Sequence, residues 1–343
     1  MVIFACAGCS AVLTARVSRV ELPDHARQSW GDRKLPSLLE PGTYAVDPKP
    51  SFPPYRLWDE VGAEEAEARG VYAPVYSLPY GPSGRIGVAP GDLRGTVHIL
   101  RRDDNSCCGL SGSAGPNLAC AECGRAVATL IDDCYLWYVA WLDPDAVRPV
   151  SVSGPACRVI GWESLREEFP GIPPVAEPGW WSLEWRAAVA VSLAHLLAAS
   201  GGKPMVVPDG LVGQVFRGAI DRLLPAGPPE RRLVLAGPGL AAASGDVLLV
   251  PRHPQTGRVW PSGAEAVVPL AAEVWTYLAF HDDRRLLPAA NRIPADVRRD
   301  DPPPLLPHDR FRPDWQVFRD TLARLPAVRR PWLRAIYDRA AAL

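Results

Sequence analysis

Phe4-Ala5-Cys6-Ala7-Gly8-Cys9-Ser10 and Leu118-Ala119-Cys120-Ala121-Glu122-Cys123-Gly124 are two copies of one pattern. Each has an apolar lead-in, a C-x-x-C knuckle and a small residue after the second cysteine. Each is followed by a run suited to a strand, from Val12 and from Val127 onward. The two-residue spacing lets both sulfurs of a knuckle reach one metal ion, while backbone N–H groups of the tight turn offset thiolate charge. Two such knuckles supply the four thiolates of a tetrahedral Zn²⁺ site, Cys6, Cys9, Cys120 and Cys123. The plainer alternatives are knuckles that bind separately, or small residues that are simply buried.

The paired knuckles and their flanking strands resemble a zinc ribbon. The departure is the 110 residues between Cys9 and Cys120. An insert of that size is physically acceptable, because loop-closure entropy grows only logarithmically with length. Gly115 to Cys120, Cys123-Gly124-Arg125 and Ile131 to Cys134 are similar to a group of uncharacterised proteins from GC-rich actinobacteria. That likeness covers much of residues 1–160 and implies no activity. A site closed by four thiolates leaves no position for water or substrate, so the expected role of the Zn²⁺ is structural. Cys107-Cys108 offers a substitute: either thiol with Cys120 and Cys123 would make a local three-thiolate set. Cys134 and Cys157 sit in apolar surroundings and read as core.

Composition sets the frame around this site. The 343 residues are 48% hydrophobic and 22% charged, with a formal net charge of −1. A sizeable core is expected and wholesale disorder is excluded. Bulk attraction of a polycation to nucleic acid is excluded too. Prolines number 38, which limits helix and implies many rigid loops. The start lacks a basic n-region and a long apolar stretch, and no run is long enough to span a bilayer. The expectation is a cytoplasmic protein with no membrane association. Thiols stay reduced there, which favours metal over disulfides for the eight cysteines.

The predicted architecture is α+β, a β-rich domain over 1–160 that carries the zinc ribbon and a small α/β domain over 161–343 ending in helices. In the first, the runs Tyr72–Leu78, Arg85–Val88, Thr96–Leu100 and Leu136–Leu142 read as strands, and Asp59–Ala68 as a helix. In the second, Ser182–Ala199 is apolar on nearly every side and reads as a buried helix. Asp209 can cap a second helix, along which Leu211, Val215, Phe216, Ile220 and Leu223 form a stripe. Apolar runs Pro204–Val207 and Leu233–Ala236 flank it, a β–helix–β unit with parallel strands. Val247–Val250 adds a strand and Leu270–His281 a helix. The spacer Asp301-Pro302-Pro303-Pro304 precedes two helices faced by Trp315, Phe318, Leu322 and Leu325, and by Trp332, Ile336 and Tyr337.

Other chemistry-bearing patterns read more simply. Gly237-Pro238-Gly239-Leu240-Ala241-Ala242 matches G-x-G-x-x-A, but a new strand follows too soon for the helix that a dinucleotide needs. Ser200-Gly201-Gly202-Lys203 matches S-x-x-K and reads as a helix C-cap. Glu184 and His195 share a helix face but stand about 16 Å apart by rise per residue. His281-Asp282-Asp283 is a weaker metal or acid–base candidate, and Asp132-Asp133 is a polar strand end or a weaker cleft candidate. The terminal arginines, among them Arg329, Arg330 and Arg334, lie near Trp315 and Trp332. The aromatics fall at core spacing, so nucleic-acid binding is expected to be weak or absent. The expected function is an intracellular zinc-stabilised binding or interaction protein, with a protein as its possible partner. The alternative is a hydrolase or nucleic-acid-processing enzyme with its site between the two halves.

Overall fold

Short β-branched and aromatic runs, cut by Gly and Pro, do fold as strands across the first half of the chain. The computed structural model describes residues 1–29, 34–100, 106, 109–152, 158–177, 180–228, 231–242, 244–281, 286, 307 and 309–340. The fold is α+β, in two units. Unit 1 holds Met1–Ala66, Val75–Val159 and Gln255–Gly257, and unit 2 holds Glu67–Pro74, Ile160–Pro254 and Arg258–Leu343.

Unit 1 contains strands β1 (Val2–Cys6), β2 (Ser18–Arg19), β3 (Thr43–Asp47), β4 (Tyr55–Leu57), β5 (Ser77–Pro79), β6 (Arg85–Val88), β7 (Thr96–His98), β8 (Leu118–Cys120), β9 (Ala126–Ile131), β10 (Val139–Leu142) and β11 (Val147–Ser151). Seven of them form one sheet in the order β2-β3-β6-β10-β9-β8-β7. Its pairs are antiparallel except β2 with β3. The register aligns Val46, Ile86, Leu142 and Ala128 across four strands. Side chains alternate between faces, so this row lies on one side with Tyr44, Val88, Ala140 and Leu130. There it joins Phe4, Leu13, Val17, Leu118 and Val127 in the main core of the unit. β1 pairs separately with β11, Val2 opposite Ser151 and Cys6 opposite Val147.

Two expectations for this unit change. The run Tyr72–Leu78 gives a strand only at Ser77–Pro79, paired with β4. Residues 67–74 belong to unit 2, where the Tyr72 amide donates to Ala323 and the Pro74 carbonyl accepts from the Tyr337 hydroxyl. The helix over Asp59–Ala68 is two short pieces, α1 (Trp58–Val61) and α2 (Ala63–Ala68). Gly62 between them has φ 78°, which ends the first turn.

Unit 2 contains α3 (Leu165–Glu168), β12 (Val175–Glu177), β13 (Trp180–Trp181), α4 (Leu183–Ser200), β14 (Met205–Val206), α5 (Leu211–Leu223), β15 (Arg231–Leu235), β16 (Val247–Arg252), β17 (Val267–Ala271), α6 (Ala272–Phe280), α7 (Trp315–Ala323) and α8 (Pro331–Arg339). Its main sheet is parallel throughout, in sequence order β14-β15-β16-β17. The β14–α5–β15 crossover is thus the expected parallel unit. α4 is buried on nearly all sides, with Trp185, Val189, Leu193, Leu196 and Leu197 sealed from solvent. It starts where the Ser182 hydroxyl accepts the Trp185 amide at 3.1 Å, and stops at Gly201, φ 66°. Its lone mid-helix hydroxyl, Ser192, donates to the Pro269 carbonyl at 2.6 Å, which satisfies it and ties the helix to β17. Asp209 does not cap α5. Gly210 (φ 86°) is the residue before the helix, and the Asp209 carboxylate pairs with Arg217 at 2.7 Å instead. The spacer 301–304 lies outside the described residues.

Ser182→Ala removes the cap from the most buried helix of unit 2. The expected cost is about 1 kcal/mol. Urea unfolding should show a lower midpoint with unchanged slope.

Candidate metal centre

Each knuckle is built by the same three backbone choices. The first cysteine accepts at its carbonyl from the residue four positions on: Ser10 to Cys6 and Gly124 to Cys120, both at 2.9 Å. Its amide donates five positions on: Cys6 to Ala11 and Cys120 to Arg125, both at 2.8 Å. The residue after the second cysteine is left-handed, Ser10 at φ 68° and Gly124 at φ 73°. That position explains why a small residue follows each C-x-x-C. The amide between the cysteines is anchored outside the turn, Ala7 to the Ala146 carbonyl and Ala121 to that of Gly95. The strand expected after the first knuckle is reduced to single bridges, Val12 with Ala5 and Thr14 with Leu93. After the second, β9 forms as expected.

The four sulfurs lie within 4.8 Å of one another. Cys6 Sγ stands 3.6 Å from Cys123 Sγ, and Cys9 Sγ stands 3.6 Å from Cys120 Sγ. The short contacts therefore cross between knuckles. A tetrahedron with metal–sulfur bonds of about 2.3 Å has edges of about 3.8 Å, so the spacing fits four ligands around one ion. Cys6 and Cys120 are buried and belong to the unit 1 core, while Cys9 and Cys123 face outward. The four cysteines can hold a metal ion. Among the described residues no other group of three or more His, Cys, Asp or Glu converges in this way.

The thiols also have unequal acidity. Burial pushes Cys6 up, but the amides of Cys9 and Gly8 and the neighbouring thiols outweigh it and bring its pKa down to about 7. The Ala11 amide favours the Cys9 thiolate, yet burial and the three other sulfurs drive its pKa up to about 12. The Cys6 thiolate forms readily and Cys9 then resists ionising. A bound cation removes that conflict. Two arginines border the turns: the Arg125 side chain lies near Gly8 and donates to the Asp145 carbonyl, and Arg148 donates to the Ser10 hydroxyl. Sequence reading missed both. Arg125 had a signal in its position two residues after Cys123; Arg148 had none, because its place beside β1 rests on a pairing between distant residues.

The remaining candidates stay apart from this centre or from any shared chemistry. Cys107, Cys108, Cys157, Asp282 and Asp283 lie outside the described residues. Cys134 is partly buried and forms no disulfide among the described residues. Asp133 is buried and accepts the Cys134 amide, and Asp132 pairs with Lys34 at 2.6 Å. Glu184 accepts the Ser182 hydroxyl, so it is spent at the start of α4. His281 stacks on Tyr277 with ring centroids 4.1 Å apart. Gly237 to Ala242 forms a turn that leads to β16 without a helix. A Cβ on Gly237 would stand 2.2 Å from the Trp275 ring, so packing accounts for that glycine. Ser200 donates to the Leu197 carbonyl at the C-cap. No helix among the described residues is long and apolar enough to cross a membrane. No protein-family model, curated protein or solved structure matches the chain.

Metal affinity should fall on acidification, because every ligand must lose its proton. Cys6 has a depressed folded pKa, so the stabilisation from its thiolate is full above pH 9.0 and is lost as pH falls through about 7. Below that, affinity should drop at least about tenfold per pH unit for each proton still to be released. Competition against a chromogenic chelator across pH measures it.

Proposed function

We propose that this chain is an intracellular binding or interaction protein whose first unit is held closed by one structural Zn²⁺. The ion sits on Cys6, Cys9, Cys120 and Cys123, in a centre that resembles a zinc ribbon. One observation carries the reading: two turns of the same backbone design bring four sulfurs to tetrahedral spacing. Zn²⁺ is the choice because it accepts four thiolates without a redox change and favours tetrahedral geometry. Four protein ligands fill the coordination sphere, so the ion stabilises and does not activate water. The partner class is a protein. Nucleic acid is the weaker reading, since Arg329 pairs with Glu67 and Arg334 with Asp338. Trp332 packs on Gly202 and Trp315 on Phe318, which takes both rings from a stacking surface.

Native mass spectrometry after gentle purification should find one Zn²⁺ per chain, and a metal-free protein would overturn the assignment. Cys6→Ser should raise hydrogen exchange across residues 1–150, because the loss releases both ends of the intervening chain. Faster exchange confined to the first fifteen residues would mean that the two knuckles do not share an ion. Filter binding at physiological salt should detect no submicromolar nucleic-acid complex. Such a complex, abolished by alanine at Arg329, Arg330 and Arg334, would replace the protein partner with nucleic acid.

A further inference from the structure

The opposite face of the seven-stranded sheet carries a buried charge that the metal centre does not use. Arg85 opens β6 and is 3% exposed. Asp47 of β3 is its partner across one side of the strand. The register that sets Leu142 against Ile86 puts Asp143 on the other side. Neither carboxylate takes a hydrogen bond from the guanidinium. Asp47 receives Arg27 Nη2 on both oxygens, at 2.7 and 2.6 Å, and Asp143 accepts the Asp145 amide at 2.9 Å. Arg85 Nη1 donates to the neutral Thr129 hydroxyl at 3.2 Å, and Phe52 covers the group with its centroid 4.3 Å from the guanidinium carbon. Nε is sealed from solvent with no partner among the described residues.

Such an arrangement is costly for a group with five N–H donors and a fixed charge. Burial lowers the Arg85 pKa, and the more distant Asp143, Tyr55 and Asp47 oppose it. Tyr55 of β4 completes the cluster. Tyr55 is 56% exposed, and the partial desolvation of its hydroxyl raises its pKa, opposed by the charges of Arg85 and Arg27. The Tyr55 hydroxyl therefore lies within the fields of both arginines. Arg27 keeps about a third of its side chain exposed and spends only Nη2 on Asp47.

The backbone around the cluster is held in unusual shapes. Phe52 has φ 68°, a left-handed conformation that a bulky residue rarely adopts. That conformation places its ring over Arg85 and 6.0 Å from the Trp141 ring. Gly112, at φ 73°, approaches the same spot, where a Cβ would stand 2.6 Å from the Thr129 methyl. Strain of this kind collects around ligand clamps.

We propose that Arg85, Arg27 and the Tyr55 hydroxyl form a recognition site for an oxyanion, the carboxylate or phosphate group of a small ligand. Arg85 supplies the unspent Nε and Nη2 donors, a pair with the planar spacing that grips two oxygens. Arg27 and Tyr55 form the outer rim, and Phe52 is the cover that keeps the contact dry. The inference is independent of the metal centre and stands if the Zn²⁺ assignment fails.

The test is titration of the full chain, ¹⁵N-labelled at arginine, with inorganic phosphate and separately with acetate at constant ionic strength. The Arg85 Nε–H signal, assigned by its loss in Arg85→Lys, should shift and saturate with at least one of the two. Saturation by phosphate alone assigns a phosphate ligand, and by acetate a carboxylate. Tyr55→Phe should weaken the saturating anion about tenfold, as expected for one hydrogen bond to a charged partner. Arg85→Met should melt no lower than the parent in anion-free buffer, since an apolar replacement of a buried ion is often neutral or stabilising. It should also lose the rise in melting temperature that the anion gives the parent. No saturating shift with either anion overturns the proposal. So does a shift that Tyr55→Phe leaves unchanged. If Arg85→Met does not fold, the parent titration and the Tyr55→Phe comparison decide.

Discussion

Holding Cys6 and Cys9 against Cys120 and Cys123 closes a loop of 110 residues. Closing a chain of that length costs about 4–5 kcal/mol of entropy. Four free thiols packed together do not repay it, because they compete for protons and their ionised forms repel. The proposed tetrahedral Zn²⁺ site would contribute about 10–16 kcal/mol at neutral pH, which exceeds the closure cost with margin. The rest of unit 1 is arranged to make that closure short. β1 runs into the first knuckle and β8 into the second, and both end in a buried cysteine of the same core. The contacts of Ala7 to Ala146 and Ala121 to Gly95 anchor each turn to backbone outside it.

What the sequence disclosed followed from how local the controlling interaction is. The knuckles were legible because their design is complete within seven residues. Ser182 and Gly201 marked the ends of α4 for the same reason, and the parallel β14–α5–β15 unit came from two apolar runs around one helical stripe. Asp209 misled because an acid and a glycine stood side by side, and the positive φ of Gly210 set the start of the helix. The pairing of β1 with β11 joins residues that lie some 145 positions apart, and no local pattern encodes that. Tyr72 to Pro74 looks like strand in isolation. Its tertiary partners, Ala323 and Tyr337, come from the far end of the chain.

Arg85 was missed for a related reason. The run Arg85-Ile86-Gly87-Val88 reads as a strand with a charged first residue, and a charge at a strand end normally faces water. Here the strand is central and flanked by β3 and β10, and all four residues are buried. The expectation failed at a position where the environment works against the charge. Failures of this kind concentrate at sites kept for function.

The two faces of the seven-stranded sheet therefore carry different duties, and β-strand alternation is what separates them. Ile86 and Val88 point toward the core that holds Cys6 and Cys120. Arg85 and Gly87, one position out of phase, point the other way. Gly87 has no side chain because Trp141 fills the space, a Cβ there lying 3.2 Å from the indole. Thr129, opposite Trp141 on β9, then receives the Arg85 guanidinium. A one-residue slip in β6 would bring the arginine into the thiol core and push Ile86 beneath Phe52. The register of one four-residue strand thus keeps the charge and the buried cysteines on opposite sides, and the apolar core fixes that register.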